Sequence, residues 1–335
     1  MQHSHKAVVG EAYGPPGAYA LQEVPTPVPG PGEVLIIVAV AGVSFVDVLI
    51  AAGGYQVGPS LPYTPGTEYA GTIVALGQGV VDFRLGDRVC ATGMGGGYAE
   101  YSIARTEKVV RMPPGMTFDH GAVFLSSYTT AYHALVQRAA LSSGETVLIL
   151  GAGGAVGIAS IQIAKMIGAR VIASASGQAR QELARFSGAD ALIETGHADW
   201  RTSIKALTDG VGVDVVVDPV GGAAMEAAFR TLRWRGRHLV IGFAAGEIGR
   251  LPANLALVKG ASLIGVDIRR FGEEEPKLAA RNVDRLMALF ERGELHPPVA
   301  RRYPLDQFVA AMEATRSRDI AGRILLDIKV ASETE

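Results

Sequence analysis

Residues 145–157 read ETVLILGAGGAVG, and they decide the fold. An apolar run ends in a glycine-dense turn, and a small-residue helical pattern, IASIQIAKMIGA (158–169), follows at once. This is how a parallel sheet presents a helix N-terminus to a pyrophosphate. The terminal N–H groups and the helix dipole attract the anion, and glycines let the backbone come close. The strict G-x-G-x-x-G spacing is not met. What stands here is Ala152-x-Gly154-x-x-Gly157, or equally Gly151-x-x-Gly154-x-x-Gly157. Such turns also serve merely to cap and pack helices. The strand before, the helix after and more βα units downstream point to dinucleotide binding.

Downstream, strands are expected near 145–150, 170–175, 190–193, 213–218, 237–242 and 261–267, with helices near 155–167, 178–187, 199–208, 222–231 and 254–259. Short apolar runs with crossovers between them imply a parallel, doubly wound α/β sheet. Upstream, the first 115 residues read as β-rich, with glycine and proline turns between short runs such as KAVVGEAYG, EVLIIVAVAGVS and YAGTIVALG. Pro25, Pro27, Pro29 and Pro31 form a stiff bend that cannot join a central strand. A small, irregular barrel fits this segment. Residues 119–140 have helical spacing. The tail predicts helices near 277–292 and 305–316 and strands at 299–303 and RILLDI.

The chain has 335 residues, enough for two domains with separate cores. Lys and Arg total 31 and Asp and Glu 33, with aromatic residues at 7%, so neither nucleic acid nor a membrane surface is an expected partner. Cys90 is the single cysteine, which excludes an intramolecular disulfide and a four-cysteine zinc site. The start, MQHSHKAVVG, lacks the apolar core of a signal peptide, and no run of 18 apolar residues occurs. A cytoplasmic enzyme is the expectation.

The second strand of the sheet, RVIASASGQAR (170–180), chooses the cofactor. NAD readers often end it in Asp or Glu, which accepts from the ribose 2′-hydroxyl; NADP readers avoid that charge and offer a cation to the 2′-phosphate. Here it ends in Ser174, Ala175 and Ser176, with Arg180 four residues on and no carboxylate before Glu182. Hydroxyls and a guanidinium can hold a phosphate by charge-assisted bonds. NADP(H) is the expected cofactor.

With GTEYAG (66–71) and GDRV (86–89) ahead of the glycine turn, the chain resembles the medium-chain dehydrogenase/reductase superfamily. Residues 44–71, SFVDVLIAAGGYQVGPSLPYTPGTEYAG, and 240–266, VIGFAAGEIGRLPANLALVKGASLIGV, resemble its zinc-free NADPH:quinone oxidoreductases related to zeta-crystallin. The resemblance implies a Rossmann nucleotide-binding domain, 123–267, inserted into a GroES-like irregular β-barrel catalytic domain made of 1–122 and 268–335. It implies an active site in the cleft between domains, and a homodimer joined through the last nucleotide-domain strand, SLIGV (262–266).

The resemblance also assigns residues. Ser44, Phe45 and Val46 fall on the nicotinamide side, Thr129 near the nicotinamide and phosphates, Gly153, Ala155 and Val156 (with Gly154 between) on the pyrophosphate turn, and Arg318 on the cofactor. Val220 and the pair Gly242–Phe243 sit where later strands end, and ligands of doubly wound sheets lie beyond those carboxyl ends. Zinc-using relatives have Cys at the position of Ser44 and His at that of Thr67. Hydroxyls stay protonated near neutral pH and are poor zinc ligands, so no metal is expected. Asp47 and Glu68 then serve as hydrogen-bonding or salt-bridging groups, and Cys90 as a small buried hydrophobe.

Without a metal to polarise an alcohol, the natural acceptor is electron-poor: a quinone or another conjugated carbonyl. The protein must bring the nicotinamide and acceptor to about 3–3.5 Å and stabilise the charge that grows on oxygen. Tyr55, after Gly53 and Gly54 in a loop that by resemblance borders the substrate cleft, is the candidate donor; the alternative is a tyrosine that packs over the pocket mouth. Relatives often have Arg at Ala51, Asn at Ser44 and in some cases Tyr at Leu49, so the acceptor pocket here is less polar; they often have Tyr at Thr195, so aromatic cover of the adenine is missing or comes from elsewhere. His120, His133 and His238 have no partner spacing for a proton shuttle and read as structural, as do Trp200 and Trp234. Two rival functions use the same cofactor: reduction of an enoyl thioester or 2-alkenal double bond, and NADPH binding without catalysis.

Overall fold

In the computed structural model, which describes residues 3–196, 199–317 and 319–328, the chain forms two compact units. One holds the described residues up to Ser126 and from Pro298 onward; the other runs from Ser127 to Pro297.

The first unit is built from β1 (Ser4–Val9), β2 (Ala20–Pro25), β3 (Glu33–Val43), α1 (Phe45–Ala51), β4 (Glu68–Leu76), β5 (Arg88–Thr92), β6 (Tyr101–Arg105) and β7 (Val109–Arg111). β1 and β2 form an antiparallel pair. The proline bend 25–31 separates β2 from β3, as expected of residues that cannot donate to a ladder. β3 is the hub. It pairs with β4 and β6, and its apolar run VLIIVAV is buried almost throughout.

The helix α2 (Phe118–Tyr132) carries the chain into the second unit and ends in a wide π-turn, His133–Arg138. There follow β8 (Thr146–Ile149), α3 (Ala155–Ile167), β9 (Arg170–Ser174), α4 (Gln178–Phe186), β10 (Ala191–Ile193), α5 (Trp200–Leu207), β11 (Val213–Asp218), α6 (Ala224–Phe229), β12 (Leu232–Val240), α7 (Ala253–Lys259) and β13 (Ser262–Gly265). Every pairing in this sheet is parallel, in the order β10-β9-β8-β11-β12-β13. The order reverses between β8 and β11, which is the topological switch point of a doubly wound sheet. The sheet's inner strands are apolar on both faces because helices cover both, so they read as continuous apolar runs.

The helices α8 (Ile268–Glu274) and α9 (Pro276–Glu291) belong to the second unit. The compact units thus meet after Ser126 and at Pro298, where the resemblance implies domain bounds after 122 and at 268. Side chains on the π-turn hold these helices. His133 stacks on Phe271 with ring centroids 3.9 Å apart. Gln137 and Asn282 bond each other through both amide groups, at 3.1 and 3.3 Å. From Pro298 the chain completes the first unit with β14 (Val299–Pro304), α10 (Phe308–Ala314) and β15 (Arg323–Asp327), which pairs with β3.

Candidate functional site

The turn after β8 is built from close backbone approaches. A Cβ on Gly157 would lie 2.4 Å from the Gly151 carbonyl oxygen and 2.7 Å from the Ala152 Cα. Only glycine lets α3 start this near the strand. Gly154 is its N-cap residue; no side chain caps the helix and its first turn has no acidic residue. The amide end of α3, with Ala155 and Val156 as its first residues, is thus left to an incoming anion. Ala152 N donates to Ser174 O at 2.9 Å and Leu150 N to Val217 O at 3.0 Å, so the turn is clamped to the strands on either side.

Beyond β9 the structure brings Arg180 onto this turn. A Cβ on Gly153 would meet the Cβ, Cγ and Cδ of Arg180 at 2.5, 2.8 and 3.0 Å. The arginine stem therefore lies across the glycine. Ser174 is buried and donates its hydroxyl to Thr195 Oγ1 at 3.2 Å, while Ser176 is exposed. Thr195 is thus the partner of the β9 serine. Glu194, next to it, accepts from Gln181 Nε2 at 2.7 Å.

At the ends of β11 and β12, Val220, Gly242 and Phe243 come together with the turn. A Cβ on Gly151 would touch Val220 Cγ2 at 2.9 Å, and one on Gly221 would strike the Phe243 ring at 2.7 Å. Asp218, buried at the end of β11, fixes this segment: its Oδ1 accepts from Val220 N at 2.9 Å and Gly221 N at 2.8 Å. Asp218 is absent from the sequence-level candidates. Its signal was a carboxylate closing an otherwise apolar run, VDVVVDP. Thr129 lies half-buried on α2, and Arg318 lies outside the described residues.

In the first unit, Ser44 caps α1. It exchanges bonds with Asp47: Ser44 N and Oγ donate to Asp47 Oδ2 at 2.8 and 2.6 Å, and Asp47 N donates to Ser44 Oγ at 3.3 Å. The other Asp47 oxygen accepts from Thr67 N at 2.7 Å. Phe45 is half-buried and Val46 exposed at the start of this helix. Tyr55 follows α1 in a loop and packs part-buried against the first unit's core.

Glu68 is buried, accepting from Ser126 N at 3.0 Å and from Arg323 Nη2 at 3.2 Å. Burial outweighs the arginine and pushes its carboxyl up to about 7. Cys90 is sealed in the core, and burial drives its thiol well above the ordinary range. Both carboxylates thus do the hydrogen-bonding work expected of them. Trp200 packs in the nucleotide unit's core as expected. Trp234 does not pack inside: it is 68% exposed, with its ring over Gly260.

Two family models match. "Alcohol dehydrogenase GroES-like domain" covers residues 30–114, and "Zinc-binding dehydrogenase" covers 155–285. Ser44 and Thr67 bring no thiolate or imidazole, Ser44 donates to Asp47, and Glu68 is held by Arg323. Among the described residues no three His, Cys, Asp or Glu cluster for a metal.

The chain belongs to the medium-chain dehydrogenase/reductase superfamily, in its quinone oxidoreductase family, and is an oxidoreductase with a GroES-like unit and a Rossmann unit. It is 35% identical to quinone oxidoreductase of Sus scrofa over 318 residues, covering 94% of this chain and 95% of that one. It is 34% identical over 303 residues to a quinone oxidoreductase-like protein 2 homolog of Nematostella vectensis, covering 90% and 83%. A mycobacterial protein solved in complex with NADPH superposes with a TM-score of 0.90 at 28% identity, covering 96% of this chain and 99% of that one. No helix among the described residues is long and apolar enough to cross a membrane.

Proposed function

We propose that the chain binds NADPH on its nucleotide unit and reduces a quinone or other conjugated carbonyl without a metal. The observation that carries this is the Arg180 stem laid over Gly153, beside an uncapped helix and a strand that ends without a carboxylate. The NADPH complex of the mycobacterial neighbour and the names of the quinone oxidoreductase relatives support it.

Gly153, Gly154, Ala155 and Val156 hold the diphosphate through backbone N–H groups. Arg180 and Ser176, with Ser174 behind them, hold the 2′-phosphate. Val220, Gly242 and Phe243 form the wall further along the sheet. Ser44, Phe45, Val46 and Thr129 serve the nicotinamide side. NADPH, when bound, supplies the hydride. Tyr55 donates to the acceptor oxygen as charge builds there.

The metal-free reading rests on the donor set: hydroxyls at Ser44 and Thr67 and carboxylates already spent in hydrogen bonds. A cytoplasmic homodimer belongs to the same proposal. β13 pairs on one side only, with β12. Leu263 on that strand is 45% exposed and Leu257 on α7 is 81% exposed, and an open apolar edge is a liability that a second copy removes.

Titration with NADPH and NADH, then NADPH oxidation across quinones, enals and enoyl thioesters, tests the function. Tighter NADPH binding and turnover with quinones or enones are expected. Tighter NADH binding, stoichiometric zinc in elemental analysis, or no oxidation with any acceptor would each refute a part of it.

A further inference from the structure

β12 places an imidazole in a sheet interior that is mostly apolar. His238 is fully buried, beside the Phe229 ring, with centroids 6.0 Å apart. Its Nε2 lies 3.0 Å from Oδ2 of Asp218 on the neighbouring strand β11. A carboxylate only accepts, so Nε2 carries the proton and donates. Among the described residues the other ring nitrogen, Nδ1, has no hydrogen-bond partner. Burying a polar nitrogen unpaired is costly, and an aliphatic residue such as the adjacent Leu239 would fill the space without that cost. What the imidazole provides is a donor for the second oxygen of Asp218.

The first oxygen of Asp218 is the one that holds Val220 N and Gly221 N. Val220 in turn rests on Gly151, and Gly221 rests on Phe243. A carboxylate held at one oxygen can rotate about its χ2 bond; held at both, it cannot. The segment 219–222 touches both the glycine turn and the β12 exit, so its placement sets the shape of the wall.

We infer that His238 is a positioning residue for the cofactor: by locking Asp218 it fixes the Val220–Gly221 segment in the conformation that NADPH binding requires. This rests on the proposal that NADPH is held at the carboxyl ends of this sheet.

The test compares NADPH dissociation constants, measured by fluorescence titration well below the unfolding temperature, with melting temperatures of the cofactor-free protein. His238→Leu should weaken NADPH about tenfold, the effect of a binding-competent segment populated about a tenth of the time. Amide exchange at Val220 and Gly221 should quicken in the same variant without cofactor. His238→Gln, whose Nε2 reaches the position of the imidazole Nε2, should restore binding; His238→Asn, too short, should not. Ile204→Ala, in the same core, should lower the melting temperature and leave the dissociation constant unmoved. If His238→Leu does not fold, the Gln and Asn variants carry the same contrast.

Unchanged binding in His238→Leu, equal binding by the Gln and Asn variants, or an equal loss in Ile204→Ala would overturn the positioning role alone. Wild-type protein that binds no NADPH would overturn the underlying proposal as well.

Discussion

At the glycine turn of the nucleotide unit the polar chemistry is carried by backbone, and around the buried carboxylates of the first unit by side chains. The turn 151–157 has no polar side chain at all, yet it presents the amide end of a helix at the switch point of a parallel sheet. The first unit instead buries Asp47 and Glu68 and satisfies each with backbone N–H groups and one side-chain partner. The difference separates two kinds of sensitivity. A backbone site fails when a Cβ is added; a side-chain network fails when a charge changes.

The sharpest way to break the comparison is Gly157→Ala. Its Cβ would sit 2.4 Å from a backbone oxygen that no rotamer change can move, so α3 must shift off the turn. NADPH binding should weaken about a hundredfold or more, the scale of one to two lost charge-assisted hydrogen bonds. Isothermal titration measures it. Gly153→Ala is the internal contrast: its new methyl meets a flexible arginine stem, so the loss should be smaller and should fall on NADPH rather than NADH.

On the first unit's side, Glu68 gives a pH effect. Its carboxyl ionises near 4.5 when unfolded and at about 7 in the fold, because burial outweighs Arg323. Between those values the folded state holds more protons. Stability should therefore fall as pH rises from about 4.5 to about 7 and level off above. Glu68→Gln, which cannot ionise, should remove that slope. Melting temperatures of the two proteins across this window, taken as a difference, check the sign; a wild type that gains stability relative to the variant as pH rises would contradict it.

Arg180→Ala sharpens the nucleotide side. NADPH affinity should drop about tenfold or more while NADH affinity holds, since one charge-assisted contact to a phosphate is removed. Equal losses for the two cofactors would assign Arg180 to packing over Gly153 and not to the 2′-phosphate.

The same division explains what the sequence made legible. The parallel sheet was readable because strands covered on both faces are unbroken apolar runs between glycine and helix signals. α3 runs from Ala155 to Ile167, as its spacing predicts. The first unit was harder. β7 has three residues, too short for any period, and α1 hid inside the apolar stretch SFVDVLIA. Its signal was there in the Ser44–Asp47 capping box, serine followed three residues later by a carboxylate. The Glu68–Arg323 pair joins residues 255 apart in sequence, and only the fold's closure brings them together. Asp218 and His238 sit on neighbouring strands 20 residues apart, a register that pairing alone decides.

Tyr55 gives the smallest effect, and it decides whether the first unit contributes chemistry or only shape. Its ring packs against that unit's core, so Tyr55→Phe keeps the apolar contact and removes only the hydroxyl. If the phenol donates to the acceptor oxygen, kcat should fall about tenfold with KM nearly unchanged, because the bond forms only as charge develops. If the ring merely covers the pocket mouth, Tyr55→Phe should match wild type and Tyr55→Ala should raise KM instead. Steady-state kinetics with a quinone and with an enone, for both variants, separate the two. In the first outcome a loop side chain joins the backbone turn as a working part of the enzyme. In the second, the protein's catalysis reduces to holding two partners close, and the chemistry written into this chain is that of the nucleotide unit alone.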